Sequence, residues 1–409
     1  MKKLISVLFF ALCVQLSSYA ASAQKFDLVS RSSDDKKFGT FYDSTAPVIG
    51  GRGDDERGYV ALVSSAAGLG GSDGRRRQII WRDRKTGETV LVSGGMRTGT
   101  GANGDSFAPS ISADGMSVAY ESYATDLVPI DTNKVRDVFV WNYRTKVTEA
   151  VSTGPGEIET NNEAFEPVIS GDGRYIAYSS SASNITPGVE GINTVNVYLK
   201  DMRTHTTKLL SMDPKTKKGV GGSRPSISDD GSRVAFYSFA ATLVPNDKND
   251  LWDIFLWDSG NPNLKRLSMA IGGGERNQGQ ESASRVVTPT ISGDGRYVAY
   301  STTATNVVAE DLDKNQAVFV VEADSGRTVR ASVGGGGARG PGDSPAGQGE
   351  RIAISADGQW VAFTTTAAGF GGNIVMRSVA SGESRVIQAN PKIGVGPPAM
   401  SANGGYLGF

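Results

Sequence analysis

The chain has 409 residues, of which 38 % are hydrophobic and 8 % aromatic, enough apolar material for a large core. Its 42 basic and 43 acidic residues nearly cancel, so no overall field favours nucleic acid or an anionic membrane. Cys13 is the only cysteine; once the leading segment is removed, disulfides, thiolate nucleophiles and cysteine metal sites are excluded.

The first element is a targeting segment. Lys2 and Lys3 precede a short apolar run at 4–16, and Ala21-Ser22-Ala23 supplies the small residues of a cleavage site before Gln24. Residues 1–23 are therefore predicted to be a cleavable signal peptide, with residues 24–409 a single domain in the periplasm or outside the cell. No later apolar run is long enough to span a membrane.

The remainder repeats. "PSISADGMSVAY" (109–120), "PVISGDGRYIAY" (167–178), "PSISDDGSRVAF" (225–236) and "PTISGDGRYVAY" (289–300) are copies of one sentence, and "IAISADGQWVAF" (352–363) is a fifth. Worn copies stand at 47–62 and 398–409. Each reads as a β-hairpin, with a short apolar strand, an Asp-Gly turn that favours positive φ, and a returning strand. Asp114, Asp172, Asp230, Asp294 and Asp357 are accordingly read as turn residues rather than as catalytic or metal-binding ones.

A second element follows each of the first six hairpins: "QIIWRD" (78–83), "VFVWNY" (138–143), "VYLKDM" (197–202), "IFLWDS" (254–259), "VFVVEA" (318–323) and "IVMRSV" (374–379). A continuous apolar run of strand length predicts a strand buried on both faces. Trp81, Trp141 and Trp257 share one register, which predicts packing between adjacent sheets. A short fourth strand, such as "TVLVS" (89–93) or "TEAVS" (148–152), closes each unit. Four strands repeated about every 60 residues predict an all-β fold, a β-propeller of four-stranded blades. "FDLVS" (26–30) matches a fourth strand, and the C-terminal copy supplies a first and second. Joined, they make a composite three-stranded blade beside six complete ones. Seven blades fit this best, and six remain if a terminal fragment packs elsewhere.

The hairpin "S-x-D-G-x-x-V-A-Y/F" followed by "D-V-F-V" resembles the TolB-type β-propeller repeat, a relative of the WD-repeat blade. The resemblance covers residues 26–409 and concerns the propeller alone. It implies a fold rather than one function, since such blades occur in periplasmic scaffold proteins, in non-catalytic domains of peptidases and in some lyases.

Function is expected at the loops that differ between copies. The turns joining strands one to two and three to four are short and uniform. The two-to-three loops and the inter-blade connections vary, which points to the end of the propeller that carries them. There "DTNKVRD" places Asp131, Asn133 and Asp137, and "DKNDLWD" places Asp247, Asn249 and Asp253 at the same spacing. "DLDKNQA" places Asp311 and Asp313, with Ala317 in the last position. Alternating oxygen ligands resemble the start of a calcium loop, so Ca2+ is the expected ion. The pattern lacks the glycine and the final glutamate of an EF-hand, and the competing reading is Asp and Asn capping tight turns.

His205 is the only histidine, in a predicted turn between strands three and four. That leaves no Ser-His-Asp triad with a second histidine and no histidine zinc site. The leading expectation is a monomeric, non-enzymatic scaffold that binds a protein or glycan partner through its variable loops. The competing one is an enzyme acting on a polysaccharide or peptide at the mouth of the central channel.

Overall fold

The computed structural model describes residues 12–15, 25–28, 44–50, 58–96, 100–189, 194–277, 288–309, 315–333, 351–365, 374–387 and 398–408. Six antiparallel four-stranded sheets follow one another along the chain, each a simple meander. They occupy residues 44–91, 106–150, 164–209, 223–266, 290–330 and 353–387, and are called blades one to six. The fold is a β-propeller.

Strand position sets burial. In blade two the second strand, Ser117–Ser122, is buried along its whole length, and the third, Asp137–Asn142, is buried except at Asn142. The short fourth strand, Thr148–Ala150, is at the outer edge and partly exposed. This is why the third-strand sequences read as unbroken apolar runs.

The core lies between blades. Ala61 and Trp81 of blade one pack with Tyr120, Phe139 and Trp141 of blade two. The Trp81 ring stacks on Tyr59 at 5.3 Å and on Tyr143 of the next blade at 4.4 Å. Its Nε1–H donates to the Gly115 carbonyl at 2.7 Å. The tryptophan row is inter-blade packing, with the buried indole N–H satisfied.

The repeated Asp-Gly is turn chemistry. Ser170 Oγ donates to Asp172 Oδ1 at 2.5 Å, the same oxygen accepts from the Arg174 N–H at 3.0 Å, and Gly173 has φ 75°. Residues 292–297 repeat this, with Ser292 Oγ to Asp294 Oδ1 at 2.6 Å and φ 73° at Gly295. The turns are stitched from blade to blade: Ala113 N donates to Gly171 O at 2.9 Å, Asp229 N to Gly293 O and Asp294 N to Ala356 O, both at 2.8 Å. The described turns thus line one end of the propeller and share one geometry.

The two ends of the chain meet in a further sheet, in the order 25–28, 12–15, 406–408, 399–400. The C-terminal pair contacts the first strands of blades six and one, and Arg84 of blade one lies 4.5 Å above the Tyr406 ring. The sequence predicted three strands here. The fourth is Leu12–Gln15, which pairs with 25–28 on one side and 406–408 on the other, inside the segment read as a signal peptide. It fills the third-strand place, which takes an apolar run in every blade.

Candidate functional site at the loop end of the propeller

The Asp/Asn loops form the same turn twice. Asn133 Oδ1 accepts from the Val135 N–H at 3.1 Å, and its Nδ2 donates to Asp137 Oδ2 at 2.8 Å. Asn249 does likewise with Leu251 N at 3.0 Å and Asp253 Oδ2 at 3.2 Å. The last Asp also anchors the fourth strand, since Asp137 Oδ1 accepts from Ser152 Oγ at 2.7 Å and from Thr160 Oγ1 at 2.8 Å. Gln78 and Asn196 hold Ser93 and Ser211 at the same place in blades one and three. An uncharged amide therefore does the anchoring equally well, and the carboxylates in blades two and four bring a charge that anchoring does not require.

That charge is handled differently in the two blades. In blade four, Arg266 Nη1 lies 2.7 Å from Asp247 and 3.5 Å from Asp253, and its Nη2 lies 2.8 Å from Glu275. Arg276 adds a contact to Asp253 at 3.7 Å. In blade two the corresponding acids are Asp131, Asp137 and Glu159, but Ala150 and Thr160 stand where the two arginines are. Asp131 Oδ1 is buried with no hydrogen-bond partner. Burial, then Asp137 and Glu159, push its carboxyl from 3.8 up to about 7. Asp311 and Asp313 lie outside the described residues. Among the described residues no three acid, imidazole or thiol groups converge as a metal cluster.

His205 sits where the sequence predicts, in the turn between the third and fourth strands of blade three, half exposed with φ 54°. Its Nδ1 is 3.4 Å from Glu157. The same carboxylate holds Lys200, whose side chain is only 1 % exposed and whose Nζ donates to Thr153 Oγ1 at 2.8 Å. Nothing in the apolar run "VYLKDM" announces this inter-blade ion pair.

A denser group was not anticipated. The first strand of blades one to four carries a bulge at the residue before the repeat's proline: Ala46, Ala108, Glu166 and Arg224, with φ 46–56°. A non-glycine residue there is strained, and the following proline favours extended backbone instead. The bulge turns the amide toward the preceding blade. Glu166 N donates to Glu121 Oε2 at 2.7 Å, and Arg224 N donates to Glu166 Oε2 at 2.9 Å, which also accepts from Ser179 Oγ at 2.9 Å. Arg136 clamps Glu121 at 3.0 Å and Glu163 at 3.1 Å. Burial raises the Glu121 carboxyl despite the Glu166 N–H and Arg136. Arg351 occupies the same repeat position in blade six, open to water yet within the field of Glu166 and Glu121. The pre-proline position, which reads Ala, Ala, Glu, Arg down the repeat, was the available signal.

Other features lie nearby. Trp252 stacks on Tyr237 at 4.5 Å with Phe239 edge-on at 5.3 Å. An open cleft of about 580 Å³ lies between blades four and five, lined in part by Lys265, Ile271, Val308 and Arg327.

Solved structures of similar fold include TolB from Acinetobacter baumannii, with 16 % identity, 88 % of this chain and 82 % of that chain covered, and a TM-score of 0.46. Others are the propeller domain of the Trilobed protease from Pyrococcus furiosus (13 % identity, 87 % and 85 % covered, TM-score 0.48) and oligogalacturonate lyase from Vibrio parahaemolyticus (10 % identity, 90 % and 97 % covered, TM-score 0.49). These likenesses concern architecture. No protein-family model matches the sequence, and no curated protein matches it.

Proposed function

We propose that the chain is an exported, non-enzymatic propeller that binds a protein or glycan partner through its loop end. One observation carries this reading: the connections at that end differ in length and sequence from blade to blade, while the described hairpin turns at the other end repeat one Ser-Asp-Gly geometry. Varied side chains on a rigid repeat are the usual makings of a binding face. Glu121, Glu163 and Glu166 are tied to backbone amides and a guanidinium group, which suits a fixed recognition surface.

The test is capture from the native envelope fraction. Wild type should retain a partner, Glu166→Ala and Arg224→Ala should lose it, and Arg203→Ala in a turn of the opposite end should keep it. Equal capture by all four proteins would sink the reading. Export predicts that the secreted protein begins at Gln24. Removal of residues 1–23 takes Leu12–Gln15 out of the closing sheet and leaves the strands at 25–28, 399–400 and 406–408.

We further propose a calcium ion at the blade-two loop, held by Asp131 with Asn133 and Asp137 close by. Hard oxygen donors and an orphaned buried carboxylate oxygen suit that ion. In blade four, at Asp247, Asn249 and Asp253, the arginines supply the positive charge and no ion is needed.

A further inference from the structure

We propose that the exported chain takes an apolar β-strand of a partner protein into its closing sheet, in the place held here by Leu12–Gln15. The inference rests on the reading of residues 1–23 as a leader removed on export. Leu12–Gln15 stands between two strands. Val14 pairs with Phe26 on one side and with Leu407 on the other, both in antiparallel ladders. Residues 399–400 pair with 406–408 and complete the sheet.

A strand flanked on both sides leaves a gap when it goes. Two strand spacings, about 9.5 Å, separate 25–28 from 406–408, and each then presents unpaired N–H and C=O groups to the gap. Simple closure does not heal it. Both flanking strands are antiparallel to 12–15 and therefore parallel to each other. Pairing them directly would make a parallel ladder, the weaker kind, in a propeller whose described ladders are antiparallel. The 406–408 edge is also anchored, since Leu407 is fully buried with Ala362, Ile374 and Ile387 of blade six.

The segment now in the gap shows what fits it. This is a third-strand place, and in each of the six complete blades that place buries at least three consecutive apolar side chains, such as 138–140 in blade two and 318–320 in blade five. Leu12, Cys13 and Val14 supply such a run from the leader. The partner segment is therefore extended, apolar over at least three residues, free of proline and antiparallel to 406–408. Main-chain ladders on both edges give affinity, and the apolar run gives selectivity, as in other cases of strand addition. Before cleavage the leader fills the place in cis, so the uncut chain is closed to such a partner.

The probe is a synthetic peptide of residues 10–17 carrying Cys13→Val, titrated by calorimetry into the exported protein, 24–409, and into the uncut chain. The exported protein should bind it, and the uncut chain should bind it about tenfold more weakly or not at all. Val14→Pro in the peptide removes a ladder donor at the strand centre and should weaken binding about tenfold or more. Amide exchange at 25–28 and 406–408 should slow on binding, which locates the peptide. No binding, equal binding of the Val14→Pro peptide, or equal binding by the uncut chain would overturn the assignment. So would edges already protected without peptide, which would put 25–28 or a second copy in the gap. N-terminal sequencing separates this from the export reading. A secreted chain that keeps residues 12–15 sinks both, whereas one that begins at Gln24 and binds no peptide sinks strand uptake alone.

Discussion

Arg266 Nη1 lies 2.7 Å from Asp247 in blade four, and the residue at the same register of blade two is Ala150. Both side chains of the blade-four pair are almost fully buried. Removing one partner of such a pair leaves an uncompensated buried charge, which costs about 3–5 kcal/mol. Arg266→Ala should therefore lower the thermal midpoint clearly. A melt within a degree of wild type would show that the acids relax into water instead.

Calcium should act on blade two. An ion that binds only the folded state raises the midpoint in proportion to its saturation. EDTA should lower the wild-type midpoint and added Ca2+ restore it, whereas Ala150→Arg, which imports the blade-four guanidinium, should no longer respond. An EDTA-insensitive wild type with no bound calcium by elemental analysis removes the ion from the account.

Asp131 gives stability a pH signature. Burial and the neighbouring acids raise its carboxyl from 3.8 in the open chain to about 7 in the fold. Between those values the folded chain holds a proton that the unfolded chain has lost, so this group's contribution is full below pH 4 and declines as pH rises to 7. In EDTA, Asp131→Asn should remove that decline and be the more stable protein at pH 8. Parallel pH–melt curves for wild type and variant would contradict the shift.

Gly231 is fixed by its neighbour and its backbone. It has φ 70°, and a Cβ there would lie 2.2 Å from the Tyr175 ring of the preceding blade. Gly231→Ala combines a left-handed backbone with a clash and should cost about 2 kcal/mol or more, measured by denaturant unfolding. Gly326→Ala is the control, because it shares the positive φ but has nothing within 4 Å. It should cost less, by the clash.

Much of this was legible in the chain itself. "ISGDGRYIAYSS" specifies a turn through contacts at most five residues apart, and Ser170, Asp172 and Gly173 make them as read. Trp81 and Trp141 signalled inter-blade packing because a fixed register in a repeat faces a fixed neighbour. The Asp/Asn spacing correctly marked two matching turns. It could not show that Arg266 and Arg276 had already neutralised one of them, since those arginines lie 13 residues or more beyond Asp253.

By itself, the sequence determined the blade: strand length, turn chemistry, the buried third strand and the number of complete units all follow from local pattern and period. Only the tertiary structure decided the loop-end cluster, where Glu121, Arg136, Glu166 and Arg224 come from three blades and meet because the sheets are set side by side. It also decided which strands close the sheet at the chain ends. The physical reason is the same for both. Hydrogen bonds within a hairpin are fixed by neighbours along the chain, whereas charge compensation and edge pairing depend on which distant groups the closed ring brings within reach.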